Sequence, residues 1–279
     1  MMKRLLYISL ITLVATTACQ KGILDDTTSS QEIVISVDAS PVSSTVTTKT
    51  SEITSVPSSL YFAGTRGSST SQTSKWSSVS KTVSSGKIST GYYQTNPATA
   101  YNYYLSNMPM TVTTSGCTIS ADGTATDVLV GITTGSSSVT PSVKLNHLFA
   151  RTGTLSVTSS TGYTISNLSV TIQSNSGAGY KGTYNIYTGG WSNVTGLSAT
   201  TLTSSSDRYL IPGSYKITVS CTRTLGTYSA SFSGSTDITL VGGHKNNISI
   251  SLTGDPATPI VASASITAWG TTTLSGTPS

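Results

Sequence analysis

The chain holds three cysteines, and the thiol of Cys19 is the group whose position most clearly indicates chemistry. It follows two threonines and an alanine, small residues that a lipoprotein signal peptidase requires before its cysteine. Lys3 and Arg4 supply a positive start, and residues 5–15 form an apolar run too short to span a bilayer. We predict that residues 1–18 are a lipoprotein signal peptide and that the Cys19 sulfur receives a diacylglycerol. The alternative is an ordinary cleaved signal with an incidental cysteine.

Lipidation at Cys19 would tether the mature protein to a membrane, since each buried acyl methylene is worth about 0.8 kcal/mol. No other run in the sequence is long and apolar enough to cross a bilayer. Removal of the signal leaves thirteen basic and ten acidic residues, spread singly along the chain, and a formal net charge of +3. Nucleic-acid binding requires clustered Lys and Arg. We therefore expect no nucleic-acid partner.

Patterns typical of catalytic and metal sites are scarce. The two histidines, His147 and His244, have no second ligand at metal-binding spacing, and His147 shares an apolar face with Leu145 and Phe149, which favours a core histidine. No nucleophile or phosphate-binding motif stands in a suitable context. Unless the fold pairs two of the acids, we expect no catalytic residue, no metal and no cofactor. The five acids after residue 60 are each isolated in the sequence: Asp122, Asp127, Asp207, Asp237 and Asp255.

Two clusters of aromatic side chains could bind sugars, because pyranose faces pack on aromatic rings. The other interpretation is packing within a sheet, where tyrosine is common. We favour packing and keep a surface glycan-binding lipoprotein as the alternative function. The first cluster is Tyr92, Tyr93, Tyr101, Tyr103 and Tyr104, and the second is Tyr180, Tyr184, Tyr187 and Trp191.

The elements that must position these side chains are predicted to be strands. Only 9% of the residues are charged, and Thr, Val, Ile and Tyr, which fit a pleated surface, are abundant. Apolar residues alternate in many short runs, most clearly from Tyr215 to Cys221, with glycine turns between them. Residues 64–91, rich in Gly, Ser and Thr, predict a loop with an irregular hairpin. The pattern indicates an all-β chain of sandwiches with Greek-key connections.

A mature chain of this length exceeds one ordinary sandwich, so we predict two domains. Residues 19–31 read as a polar linker, 32–140 as an N-terminal β-sandwich and 141–279 as a C-terminal β-sandwich. The boundary falls in the Gly/Ser/Thr run near 138–141. Cys117 and Cys221 lie on opposite sides of it, and we expect two buried free thiols, with a disulfide as the minority alternative.

Several segments, taken in order, resemble the fimbrillin-like family of Bacteroidota, the subunits of type V pili. After the lipoprotein signal, Asp26-Thr27-Thr28 is similar to an O-glycosylation signal of that phylum, which makes Thr27 a candidate acceptor. No single segment is diagnostic, but their order and spacing are typical of the family. The segments are 32–39, Thr-Thr-Lys-Thr at 47–50, Leu60-Tyr61-Phe62, Tyr101-Asn102-Tyr103-Tyr104, Thr126-Asp127-Val128-Leu129, the His-containing strand 143–150, and the closing Ile-Thr-Ala-Trp at 266–269.

The resemblance implies two transthyretin-like β-sandwich domains and a structural or adhesive role, as stalk, tip or anchor, in a cell-surface fimbria. The implied partners are other fimbrial subunits, the outer membrane through the lipid on Cys19, and, for an adhesin, a host or bacterial surface ligand. In such subunits a protease removes the N-terminal strand, and the exposed groove accepts a strand from the next subunit. A donated strand pairs the free N–H and C=O groups and fills the side-chain pockets.

Processing is where the sequence departs from the family pattern. The family protease is specific for Arg, yet no Arg lies between Cys19 and Leu60, where Lys49 is the candidate closest to the family position. The first Arg of the mature chain is Arg66, and a cut there would also remove the strand that begins at Leu60. An uncut chain would keep its lipid and serve as an anchor, whereas a cut chain would enter the fimbrium.

Overall fold

The computed structural model describes residues 31–39, 53, 55–68, 71–94, 99–159, 162–204 and 208–252, and the backbone of 261–268. Every regular element in these ranges is a strand, so the all-β prediction is confirmed for this part of the chain. The strands are β1 (Gln31–Ala39), β2 (Ser59–Ser68), β3 (Ser71–Thr82), β4 (Lys87–Gln94), β5 (Tyr101–Ser106), β6 (Thr111–Thr113), β7 (Gly116–Asp122), β8 (Leu129–Ser136), β9 (Ser142–His147), β10 (Ala150–Ser159), β11 (Thr164–Ser174), β12 (Lys181–Asn185), β13 (Gly190–Thr195), β14 (Thr200–Leu202), β15 (Tyr209–Leu210), β16 (Gly213–Leu225), β17 (Tyr228–Leu240), β18 (His244–Leu252) and β19 (Val261–Ala268).

Seven strands form the largest sheet, in the order β3-β2-β5-β8-β9-β1-β4. Its two outer strands approach each other, because the rings of Trp76 in β3 and Tyr92 in β4 stack with centroids 5.5 Å apart. The sheet therefore curls around its own apolar face. We call the enclosed cluster the first core: Ile33, Ile35, Leu60, Phe62, Trp76, Ile88, Tyr101, Tyr103, Leu105, Leu129, Val143 and Leu145.

The segment 64–91 is more regular than the sequence predicted. Instead of a loop with an irregular hairpin, it contains the end of β2, the twelve-residue β3 and most of β4. The pairing of β2 with β3 shifts register on both sides of Gly64, which breaks the alternation that reveals a strand. Gly64 is required there, since an added Cβ would lie 2.2 Å from Cε3 of Trp76.

Two four-stranded sheets enclose the second core. Their orders are β14-β11-β16-β17 and β15-β10-β18-β19. Strand β16 follows the predicted alternation, with Tyr215, Ile217 and Val219 fully buried and Cys221 5% exposed. The second core comprises Ala150, Val170, Ile172, Ala178, Leu202, Leu210, Tyr215, Ile217, Val219, Cys221, Phe232, Ile238, Leu240, Ile248, Ile250 and Leu252.

A third four-stranded sheet, in the order β13-β12-β7-β6, joins early and late parts of the chain. Strand β12 pairs with β7 from Lys181↔Asp122 to Asn185↔Thr118. Beneath it lies the junction core: Ala63, Tyr104, Met110, Cys117, Ile119, Ala121, Val128, Val130, Leu148, Phe149, Ile186, Tyr209 and Ile211. Strand pairing and side-chain packing thus connect residues on the two sides of the predicted boundary near 138–141. Strand β9, just after this boundary, pairs with β1 and β8, which come before it. The two-domain division stays a prediction.

Both described cysteines are buried free thiols, as expected from the sequence. Cys117 lies in the junction core and Cys221 in the second core. Burial disfavours the thiolate, and it raises the pKa of Cys117 to about 12. The Cys117 thiol is therefore not placed for chemistry with a partner outside the protein.

Candidate functional site

Strand β1 occupies a groove between two other strands. It pairs in parallel with β9, from Ser36↔Ser142 to Ala39↔Leu145, and antiparallel with β4, from Gln31↔Gln94 to Ser36↔Lys87. Both backbone edges of β1 are consequently hydrogen-bonded. The segment 32–39, which resembles the family, is therefore part of a strand, and this strand is inserted into the sheet rather than lying at its edge.

Backbone hydrogen bonds outside the regular ladders also hold β1. The N–H groups of Val34 and Ser36 donate to the carbonyl oxygens of Val139 and Pro141, at 2.8 and 2.9 Å. On the opposite side, the N–H of Val37 donates to Gly86 O at 2.8 Å, and the Thr90 hydroxyl donates to Ile33 O at 2.8 Å. The groove therefore satisfies backbone groups along most of the strand.

Two isoleucines anchor β1 to the first core. Ile33 and Ile35 are fully buried, whereas Val34 between them is half-buried and Asp38 is exposed. Complete burial of an isoleucine side chain is worth about 1.5–3 kcal/mol. The groove thus offers two apolar pockets at a spacing of two residues, which is the repeat of an extended strand.

The Glu32 carboxylate adds a polar contact at the start of β1. It accepts a hydrogen bond from the Ser89 hydroxyl and a second from the N–H of Gly91, the latter at 2.8 Å. These two hydrogen bonds, the one from Ser89 first, lower the pKa of Glu32 from its ordinary value. The acid therefore ties β1 to β4 in its ionised form.

Of the predicted processing positions, the structure describes Arg66. Its exposed side chain lies within β2, opposite Thr73 of β3. Upstream in the same strand, Leu60 and Phe62 are fully buried in the first core. A cut at Arg66 would hence detach two core side chains together with β1. Cys19, Thr27 and Lys49 lie outside the described residues, and their roles stay predictions.

Asp127 and His147, which lie twenty residues apart in the sequence, form a buried polar contact. Nδ1 of His147 lies 2.8 Å from Oδ2 of Asp127, and their side chains are 6% and 0% exposed. The same carboxylate oxygen accepts the N–H of Ile53 at 3.2 Å. Asp127, isolated from other acids in the sequence, is thus paired by the fold with a histidine. The pair connects β9 to the segment that follows the first strand.

Three of the five tyrosines in the first aromatic cluster are too buried to stack on a sugar. Tyr101, Tyr103 and Tyr104 are 5%, 0% and 0% exposed. Burial raises the pKa of Tyr103 and of Tyr104 to about 12. Because β5 lies between two apolar cores, these rings pack inside the protein, as the packing interpretation predicted. In the second cluster, Tyr184 and Trp191 are half-buried and reach solvent.

The described residues hold no group of three or more His, Cys, Asp or Glu side chains that could bind a metal ion. Within the same ranges, no helix is long and apolar enough to cross a membrane. The main feature of the candidate site is therefore β1, which lies between β9 and β4 and completes the seven-stranded sheet.

Several solved structures are similar to this chain. A candidate cell adhesion protein from Parabacteroides distasonis ATCC 8503 is 10% identical over 86% of this chain and 97% of its own, with a TM-score of 0.52. A fimbrilin from Porphyromonas gingivalis W83 is 9% identical over 86% and 98%, with a TM-score of 0.48. A fimbrial protein from Bacteroides vulgatus ATCC 8482 is 11% identical over 85% and 99%, also with a TM-score of 0.48. No curated protein sequence matches the chain.

The sequence model described as fimbrillin-like matches residues 27–269. This range contains every described strand, from β1 to β19. The likeness to the Parabacteroides structure agrees with it at the level of the fold. The chain therefore belongs to the fimbrillin-like family, and it is a structural or adhesive subunit of a fimbria.

Proposed function

We propose that this subunit joins the fimbria by strand donation, with β1 as the strand that a neighbouring subunit replaces. The observation that carries the proposal is the seat of β1. The strand completes a sheet on both edges and fills two pockets of the first core with Ile33 and Ile35. Its removal would leave unpaired backbone groups on β4 and β9, which a donated strand can satisfy.

The incoming strand has defined requirements. It needs two apolar side chains two residues apart, to replace Ile33 and Ile35 beside the fully buried Ile88 and Val143. It also needs an extended backbone of about nine residues to match β1. An acidic side chain one residue before the first of these two apolar side chains would reproduce the Glu32 contacts with Ser89 and Gly91. These features describe the chemistry of the segment that fits the groove.

We place the processing cut at Lys49 in preference to Arg66. A cut at Lys49 would release β1 and leave β2 intact. A cut at Arg66 would also release Leu60 and Phe62, whose burial is worth about 1.5–3 kcal/mol each. The Arg66 product would lose a central strand of the sheet, between β3 and β5. Lys49 is thus the cut that opens a groove without dismantling the first core.

The subunit can take two positions, and these differ in whether it keeps the lipid on Cys19. Cleaved at Lys49, the chain leaves Cys19 and β1 behind and enters the filament. Uncut, it keeps the lipid on Cys19 and remains at the outer membrane as an anchor, with β1 in its own groove. Both positions are structural or adhesive, and neither requires a catalytic residue.

The test is the N-terminal residue of the protein recovered from the cell surface. Filaments sheared from cells and the outer-membrane fraction are purified separately and analysed by mass spectrometry. We expect chains that begin after Lys49 in filaments and lipidated chains that begin at Cys19 in the membrane. Absence from filaments of expressing cells, or filament chains that retain β1, would overturn the strand-donation proposal.

A further inference from the structure

A cavity of about 590 Å³ lies where strand β9 faces the hairpin formed by β12 and β13. Its lining combines aliphatic, aromatic, amide and cationic groups from both halves of the chain, together with three glycines. No Asp or Glu is among the described residues that line it. The lining residues that carry the argument are Lys144, Asn146, His147, Tyr184, Gly189 and Trp191.

One wall of the cavity is a fixed pair of aromatic rings. Tyr184 and Trp191 are directly opposite in the β12–β13 pairing, with centroids 5.1 Å apart and an angle of 52° between their planes. The indole also packs against the buried Phe149, at 5.7 Å between centroids. It lies close above Gly182, where an added Cβ would be 3.1 Å from Cε3 of Trp191. Both rings are half-buried, so they are held from behind and reach solvent.

The hairpin turn beside these rings is also shaped by its sequence. The Asn185 side-chain oxygen accepts the N–H groups of Tyr187 and Thr188, at 2.9 and 3.1 Å, which closes the turn. Gly189 follows with φ of +72°, a conformation that side chains rarely adopt. The turn therefore presents the tyrosine and tryptophan at a defined position above β9.

The opposite wall is polar. Along β9, Val143 and Leu145 point into the first core, so the exposed Lys144 and Asn146 point to the other face, toward the cavity. Lys144 can donate three hydrogen bonds and Asn146 can both donate and accept. At the end of the strand, His147 also lines the cavity while its Nδ1 faces Asp127.

We infer that this cavity binds a carbohydrate, with a pyranose ring stacked on Trp191 and a carboxylate of an acidic sugar bound by Lys144. A volume of this size falls in the range of small-ligand sites, roughly 300–1,000 Å³. An aromatic wall suits the C–H face of a sugar, and an amide with an ammonium group suits its hydroxyl and carboxylate oxygens. A purely apolar ligand would leave the polar wall desolvated and unpaired.

The inference goes beyond the proposed function, because strand donation does not use this cavity. It would give the subunit an adhesive role in addition to its structural one. The aromatic rings that can contact a sugar in this cavity are those of Tyr184 and Trp191, whereas the tyrosines of β5 are buried.

The test uses the full-length protein purified in mild detergent and an array of neutral and acidic oligosaccharides, the latter bearing uronic or sialic acids. Acidic ligands found on the array are then titrated against Trp191→Ala and Lys144→Ala. We expect each change to weaken binding about ten-fold or more. Matched controls are Tyr228→Ala, 57% exposed on β17, and Lys75→Ala, exposed on β3, which should leave affinity unchanged.

Circular dichroism establishes that each variant is folded. If Trp191→Ala does not fold, Lys144→Ala and Asn146→Ala decide, since both side chains are exposed. Binding confined to neutral glycans, no binding to any glycan, or undiminished binding in the folded cavity variants would overturn the inference. Incorporation of the same variants into filaments reports separately on strand donation, so failure of one proposal is distinguishable from failure of the other.

Discussion

Oδ2 of Asp127 contacts two distant parts of the chain: it lies 2.8 Å from Nδ1 of His147, and it accepts a hydrogen bond from the backbone N–H of Ile53 at 3.2 Å. Ile53 packs against the first core and belongs to the connection between β1 and β2. The carboxylate therefore connects this segment before β2 to the end of β9.

Loss of this carboxylate should destabilise the protein strongly. Asp127→Ala leaves a buried histidine without its acidic partner, and the loss of a partner by a buried polar group costs about 1–3 kcal/mol. The free energy of unfolding from a denaturant titration measures the effect. Asp237→Ala is the matched control, since Asp237 is exposed on β17, and surface changes usually fall within about 0.5 kcal/mol. Equal losses in the two variants would contradict a structural role for the pair.

Substitutions in β1 should lower the free energy of unfolding by different amounts at alternate positions, because only every second side chain is buried in the first core. Ile35→Ala removes a fully buried side chain of β1 and should lower the free energy of unfolding of the uncut chain by about 2–5 kcal/mol. Val34→Ala, at the neighbouring half-buried position, should cost clearly less. Both values come from the same denaturant titration. A larger loss at Val34 would mean that β1 presents its other face to the core.

Acid should weaken the attachment of β1 to β4. Hydrogen bonds from Ser89 and Gly91 lower the pKa of Glu32 below its ordinary value of 4.5. A depressed folded-state pKa contributes stability above the unfolded value, and this contribution is lost as pH falls through the folded value. In Ser89→Ala the pKa of Glu32 should rise toward 4.5, as measured by NMR titration of the side chain. An unchanged pKa would show that Ser89 does not stabilise the carboxylate.

Cys117 should be silent toward thiol reagents in the folded protein. Its side chain is fully buried, and burial raises its pKa to about 12. Nucleophilic attack requires the thiolate, so a disulfide reagent at pH 8 should label Cys117 slowly in buffer and fast in denaturant. Peptide mapping after labelling assigns the site. Fast labelling of Cys117 without denaturant would indicate that the junction core opens.

The sequence predicted strands best where one face is solvated. In β16, alternating burial follows the alternating residues from Tyr215 to Cys221. In β5 the alternate side chains enter different cores, since Tyr103 lies in the first core and Tyr104 in the junction core. The sequence could not show that both faces are covered, because covering layers come from distant segments. The bulged pairing at Gly64 likewise hid β3 from a period-two search.

Only part of the candidate site was predictable from the sequence, because its contacts join segments that lie far apart in the chain. The alternation in 32–38 identified β1, but its parallel neighbour β9 lies about a hundred residues away and no local pattern connects them. The Asp127–His147 pair depends on the register in which Leu129 faces His147. The cavity depends on the hairpin of β12 and β13 folding back over β9. Each is a tertiary relationship, which spacing along the chain does not encode.

Replacement of Lys49 should block the proteolytic cleavage that releases β1. In Lys49→Ala, filaments should lose this subunit while the lipidated, uncut chain accumulates in the outer membrane, because β1 then stays in its groove. Arg66→Ala is the matched control and should assemble normally, since a cut at Arg66 would also remove the buried Leu60 and Phe62. Mass spectrometry of the filament and membrane fractions measures both outcomes. Normal assembly of Lys49→Ala with failure of Arg66→Ala would place the cut inside β2, and the first core would then have to be completed by more than one donated strand.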